Sequence, residues 1–175
     1  VHEIQAAGLT QGVNNAEEML ILLFYIGEAV YTVKCEKVRE IAPMVTLKPV
    51  PHTPDFFAGF FNYRGTVVPV IDLCRLIQGC PCRMRLSTRI ILVDYSGKGD
   101  RSDIIGLIAE RVTETVRKPE DAFVFSGIRS ADAPYLGGIV MEQKKMIQYI
   151  DLDLLPNCIA FLPKDAPESD LPPEP

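Results

Sequence analysis

The chain of 175 residues has no tryptophan, only two histidines and five cysteines, and each scarcity removes a class of chemistry. His52 lies between Pro51 and Thr53-Pro54 with no aligned carboxylate or nucleophile, so it reads as a loop residue and not a general base. His2 falls in the N-terminal stretch. Cys35, Cys74, Cys80, Cys82 and Cys158 form an odd set without disulfide-framework spacing, which fits a reducing compartment. Cys74, Cys80 and Cys82 follow C-x5-C-x-C and could hold a soft metal, but zinc sites usually use C-x2-C pairs, often with histidine. The expectation is no metal and no cofactor. No apolar run approaches ~18 residues and no basic start precedes an apolar segment, so neither a membrane insertion nor a signal peptide is expected, and the chain reads as cytoplasmic. Positive charge is also short, with 18 Lys and Arg against 23 Asp and Glu for a net charge of -5. Without a basic field to neutralise phosphates, nucleic acid and anionic membranes are not expected partners.

What is abundant is apolar material, 47% of residues against 23% charged, enough to bury a core without staples. Residues 1–18 are mostly polar and without period, a mobile arm or short helix. From Leu162, LPKDAPESDLPPEP concentrates proline and acid and reads as a disordered tail over 162–175. Residues 19–161 are left as the folded unit.

Within it, LILLFYI (20–26) and AVYTV (29–33) flank Gly27-Glu28, a tight hairpin pattern. CEKVREI (35–41) sets Val38 and Ile41 three apart among charges and predicts a short amphipathic helix stopped by Pro43. MVTLKPVP reads as a strand leading into a rigid proline loop. GFFNYRGTVVPVIDL (59–73) carries Asn62-Tyr63-Arg64-Gly65 at its centre. Asp72 is the expected N-cap of a helix through Leu73, Leu76 and Ile77, ended by Gly79 and Pro81. STRIILVDY and DIIGLIAE around SGKGDRS form another hairpin, followed by the short amphipathic stretch ERVTETV.

An internal repeat organises these pieces. Ile71-Asp72-Leu73 recurs as Ile150-Asp151-Leu152, and the same offset of 79 relates Gly59 to Gly138, Phe61 to Val140, Val67 to Met146, Val68 to Ile147 and Leu76 to Leu155. Val38-x-Glu40 pairs with Val112-x-Glu114. Duplicated units of strand, short helix, loop, strand, turn, strand, cap and helix predict two similar small antiparallel β-barrels sharing an apolar interface. Opposite Asn62-Tyr63-Arg64-Gly65 the second copy has Met141-Glu142-Gln143-Lys144, so the scaffold is shared but the turn chemistry is not.

No nucleophile elbow, phosphate loop or dinucleotide turn is present, and no catalytic residue is expected. Asp72 and Asp151 hold the same place in each repeat, which makes them helix caps and not an acid pair. Asp151-x-Asp153 falls short of the oxygens a calcium ion takes. Arg64 has two readings, a solvated hairpin tip shaped by Asn62 and Gly65, or a docking residue. Tyr63, Phe60, Phe61 and the Pro49–Pro54 loop favour the second, since aromatics and arginine anchor protein interfaces.

In order, LFYIGEAVYTVKCEKVREI, GFFNYRGTVVPVIDL, DIIGLIAERVTETV, YLGG and YIDLDLL resemble the CheW family of chemotaxis coupling proteins over about residues 19–156. The resemblance implies a mainly β fold of two SH3-like five-stranded β-barrel subdomains. It also implies a non-enzymatic adaptor that joins a CheA-type histidine kinase to methyl-accepting chemoreceptors and is recruited to receptor arrays. Such a protein serves flagellar chemotaxis, pilus motility or a surface-sensing system controlling cyclic-di-GMP. Family receptor-contact positions carry over to Val38, Glu40, Gly59 and Arg64, with Asn62, Tyr63 and Gly65 supporting the turn. Tyr63 stands where the family usually has leucine. Kinase contact in the family uses an apolar end of one barrel. The alternatives are a CheW-like regulatory domain cut from a larger chemotaxis protein, or a small metal or redox regulator using Cys74, Cys80 and Cys82.

Overall fold

The computed structural model describes residues 17–96, 102–125 and 130–155. Residues 1–16 of the expected 1–18 arm, residues 97–101, the expected tail over 162–175 and Cys158 lie outside them. Among the described residues ten strands are arranged in two sheets: β1 (Glu18–Ile26), β2 (Ala29–Lys34), β3 (Val38–Pro43), β4 (Phe57–Tyr63), β5 (Thr66–Asp72), β6 (Arg89–Ser96), β7 (Ser102–Ala109), β8 (Thr115–Pro119), β9 (Leu136–Glu142) and β10 (Lys145–Ile150). One helix, α1 (Leu73–Gln78), follows β5. The sheet orders are β8-β1-β2-β10-β9 and β3-β6-β7-β5-β4.

The repeat is real at the level of register. Phe61 faces Val68 and Asn62 faces Val67 in the β4–β5 hairpin, and Val140 faces Ile147 and Met141 faces Met146 in the β9–β10 hairpin. Every one of these positions is displaced by the same 79 residues. The halves do not fold separately, however. The first two strands of each half join the last three of the other, so β6 and β7 lie between β3 and β5, and β1 and β2 between β8 and β10. Each sheet therefore contains one parallel pair, β5 with β7 and β2 with β10, where wholly antiparallel barrels are expected from sequence. The interior strands β6 and β7 explain the long apolar runs: Ile90, Ile91, Leu92, Val93 and Leu107 have no exposed surface.

Side chains close each sheet into a barrel. Tyr63 and Arg64, at the end of edge strand β4, reach Glu40 on the opposite edge strand β3. Lys118 on β8 meets Glu142 on β9 in the other sheet. The expected pair of five-stranded barrels is present.

Two local expectations are corrected. Residues 35–41 are not a helix: Cys35–Lys37 form a single 3-10 turn, and the chain is extended from Val38. Ile41, assigned to the buried stripe of that helix, is 42% exposed, while Ala42 is buried, the alternation of a strand. ERVTETV is likewise irregular until β8 begins at Thr115. The Asp72 cap forms as expected, its Oδ1 accepting the N–H groups of Cys74 and Arg75 at 2.9 and 3.1 Å. Asp151 accepts from Asp153 N at 3.0 Å in the same way but caps a turn, not a helix, through Leu155.

Candidate docking surface

Strands β4 and β5 are joined by Arg64 and Gly65 alone, a two-residue hairpin whose native twist asks for positive φ at both positions. Arg64 has φ 52° and Gly65 φ 83°. Asn62 holds the turn by accepting the Gly65 N–H at 2.8 Å on Oδ1. The second copy makes the same turn with Gln143 and Lys144, at φ 46° and 68°. The hairpin geometry is thus scaffold, and only its side chains distinguish the first copy.

Those side chains form a linked group. The Arg64 guanidinium lies 5.1 Å from the Tyr63 ring centroid and donates through Nη2 to Glu40 Oε2 at 3.1 Å. Tyr63 Oη donates to the same oxygen at 2.5 Å. This hydrogen bond to the carboxylate, with a smaller contribution from burial, raises the Tyr63 phenol above its ordinary pKa. Arg39, the neighbour of Glu40, pairs outward with Asp94 at 2.5 Å. The Arg64 side chain is 75% exposed, so its ion pair is worth at most about 1 kcal/mol to the fold. A five-donor planar fork is thereby held in place by a ring and a carboxylate while most of it faces solvent.

The four carried-over positions are not equivalent. Glu40 and Arg64 are in direct contact. Val38 lies two residues from Glu40 across a bulge in β3, half-buried and packed on the core. Gly59 is buried with φ 130°, and a Cβ there would sit 2.4 Å from the Lys48 carbonyl oxygen. Its local role is to let the 48 segment pair with Phe60, through Lys48 N to Phe60 O at 2.7 Å and Phe60 N to Lys48 O at 2.9 Å. Asp72 and Asp151 take no part in this surface.

Sequence reasoning missed a second exposed area on the other barrel. Met141 and Met146 face each other across β9 and β10, 57% and 67% exposed, beside half-buried Ile139 and exposed Val124. An apolar recess of about 430 Å³ is lined by Ala122, Val124, Ile139, Val140 and Met141, and a cleft of about 570 Å³ shares Ile139 with it as a lining residue. Tyr25 lines that cleft with Arg111, 4.1 Å from its ring centroid, and Lys145, 5.8 Å from it. The available signal was the pairing of methionines at positions where a strand's outward residues are usually polar.

The cysteines correct the reading of the sequence. Cys74 and Cys82 are joined in a disulfide although their spacing gave no sign of a framework, while Cys35 and exposed Cys80 are free. The buried group of Asp72, Cys74 and Cys82 is the candidate metal cluster among the described residues. Both of its sulfurs are bonded to each other and its carboxylate is occupied by backbone N–H groups, including that of Cys82 at 3.1 Å. That donor set does not fit a metal ion. No helix among the described residues is long and apolar enough to cross a membrane.

Comparison with known proteins places this arrangement. The profile of the CheW-like domain family matches residues 20–157. "Probable chemotaxis protein CheW" from Rhizobium etli is 27% identical over 143 residues, covering 81% of this chain and 89% of that protein. The chemotaxis protein CheW of Bacillus subtilis is 24% identical over 166 residues, 94% and 98% of the two chains. The crystal structure of the scaffolding protein TtCheW from Thermoanaerobacter tengcongensis superposes with a TM-score of 0.70 at 26% identity, covering 89% of this chain and 93% of that one.

Proposed function

The chain belongs to the CheW-like domain family, and from that premise we propose that it is a non-enzymatic adaptor of a chemosensory array, coupling a CheA-type histidine kinase to methyl-accepting chemoreceptors in the cytoplasm. The observation that carries the receptor half of this reading is the Glu40–Tyr63–Arg64 group. It gathers two positions expected to contact receptor, 24 residues apart in sequence, onto one oxygen atom. Tyr63, the departure from the usual leucine, supports that grouping by holding Glu40 in place.

The receptor face and the kinase face fall on different barrels. Arg64 and Glu40 belong to the sheet of β3 to β7, while the strip of exposed Val124, Met141 and Met146 with half-buried Ile139 belongs to the other. A contiguous apolar strip of this kind is the usual mark of a protein contact, and we assign it to the kinase. One adaptor can then hold both partners at once, which coupling requires.

The test is Arg64→Glu measured against purified receptor signalling domain and kinase. Receptor association is expected to fall by at least about tenfold, kinase association to persist, and thermal stability to move by no more than about ±0.5 kcal/mol. Undiminished receptor binding by the folded variant overturns the receptor assignment. Met146→Glu is the reciprocal change, expected to weaken kinase and spare receptor.

A further inference from the structure

We propose that Cys74 and Cys82 constitute a reversible redox site that exchanges with external dithiols through Cys80. Three observations converge on it. The Cys74–Cys82 bond is buried, with the two residues 1% and 5% exposed, so an external thiolate cannot line up behind either sulfur. Cys80 is an exposed free thiol two residues from Cys82, in the bend that follows Gly79 at φ 74°. Finally, the pocket suits the reduced state as well: Cys82 Sγ lies 3.5 Å from the Ile108 carbonyl oxygen, an acceptor for its thiol proton. A purely structural staple needs neither an exposed neighbouring thiol nor a built acceptor. Disulfides in reducing compartments are usually transient and redox-responsive.

The exchange balances as three steps. Cys80 thiolate attacks Cys82 Sγ; the Cys80–Cys82 bond forms, the Cys74–Cys82 bond breaks, and the electron pair leaves on Cys74, which takes up a proton. One thiolate of an external dithiol then attacks the exposed Cys80 sulfur, releasing Cys82 as thiolate. The second thiol of the reductant closes on the first, releasing Cys80. The protein gains two electrons and two protons, and the dithiol becomes a disulfide.

The site is wired to the second barrel. Cys82 N–H binds Asp72, and the next residue, Arg83, donates its N–H to Glu110 Oε1 at 2.5 Å and pairs with Glu28 at 3.3 Å. Glu28 meets Arg111, the cation stacked on Tyr25 in the cleft beside Met146. Reduction removes the covalent anchor at the head of that chain.

The experiment uses the full chain and dithiothreitol. Folded protein is sampled before and during reduction, acid-quenched, alkylated in guanidinium chloride and mapped by mass spectrometry, with Cys80→Ser alongside. Reduction in the folded state is expected to yield Cys74 and Cys82 as alkylated thiols after denaturation, and Cys80→Ser to slow their appearance by at least about tenfold while leaving the rate of reduction in guanidinium chloride unchanged. Alkylation of Cys74 and Cys82 before any reductant, or an unchanged folded-state rate in Cys80→Ser, overturns the proposal. Reduced protein that retains stoichiometric zinc and then resists reoxidation also overturns it, assigning the thiols to a metal instead.

Discussion

Replacing Gly59 by alanine separates scaffold from contact at one position carried over from the family. An alanine Cβ meets Lys48 O at 2.4 Å and Lys48 C at 2.9 Å, both backbone atoms that no rotamer change can move. The φ of 130° is also one that residues with a side chain avoid, at a cost of about 1–3 kcal/mol. Relieving the clash means pulling the 48 segment away, which breaks its two hydrogen bonds to Phe60, each worth about 1 kcal/mol. Together these give about 3–5 kcal/mol, or a Tm lower by roughly 6–20 °C for a chain of this size. Gly65→Ala is the matched control. It also has positive φ, 83°, but nothing lies within 4 Å of its added Cβ, so only the left-handed penalty of about 1–2 kcal/mol applies. Urea and thermal denaturation of both variants, read by circular dichroism, decide the matter. If Gly59→Ala costs no more than Gly65→Ala, the close approach of Lys48 is not what demands glycine, and the steric argument fails.

Val38→Ala should cost about 1 kcal/mol, because its side chain is half-buried and each buried CH₂ is worth about 0.8 kcal/mol; receptor affinity measured by calorimetry should fall more than about fivefold, and unchanged affinity removes Val38 from the docking surface. Tyr63 supplies a pH signature. Its folded-state pKa is raised by its bond to Glu40, so the stability it contributes is complete below the unfolded value near 10 and is lost as pH rises through the folded value. The difference in urea midpoint between wild type and Tyr63→Phe should therefore shrink as pH rises above about 10, the unfolded phenol value, and a difference that stays constant through that rise refutes the Tyr63–Glu40 bond.

Much of the architecture was legible because strands leave local marks. The Gly27-Glu28 hairpin, the β4–β5 hairpin and the Asp72 cap each depend on a few neighbouring residues whose turn or capping chemistry is specific. The repeat of 79 residues was legible for the same reason, since equal packing in two places selects equal residue types. Where the reading failed, a periodic pattern was too short to decide. Val38 and Ile41 fit a helical spacing, but over seven residues strand pairing with β6 outweighs it and turns Ile41 outward. The cystine was illegible because disulfide pairing depends on distance in space, and the spacing of Cys74 and Cys82 matched no framework.

The sequence by itself determined two duplicated β units, a capped helix after the first, and a hairpin that presents Arg64. These are decided by residues within a few positions of one another, through turn geometry, alternation and hydrogen bonds to nearby backbone. Only the tertiary structure decided that the halves exchange their first two strands, because strand pairing is set by which apolar faces can be buried together and not by order along the chain. The same burial brings the two edge strands of one barrel together and places Glu40 against Tyr63 and Arg64. The docking group therefore exists because the sheet closes, and no local pattern in either segment encodes that closure.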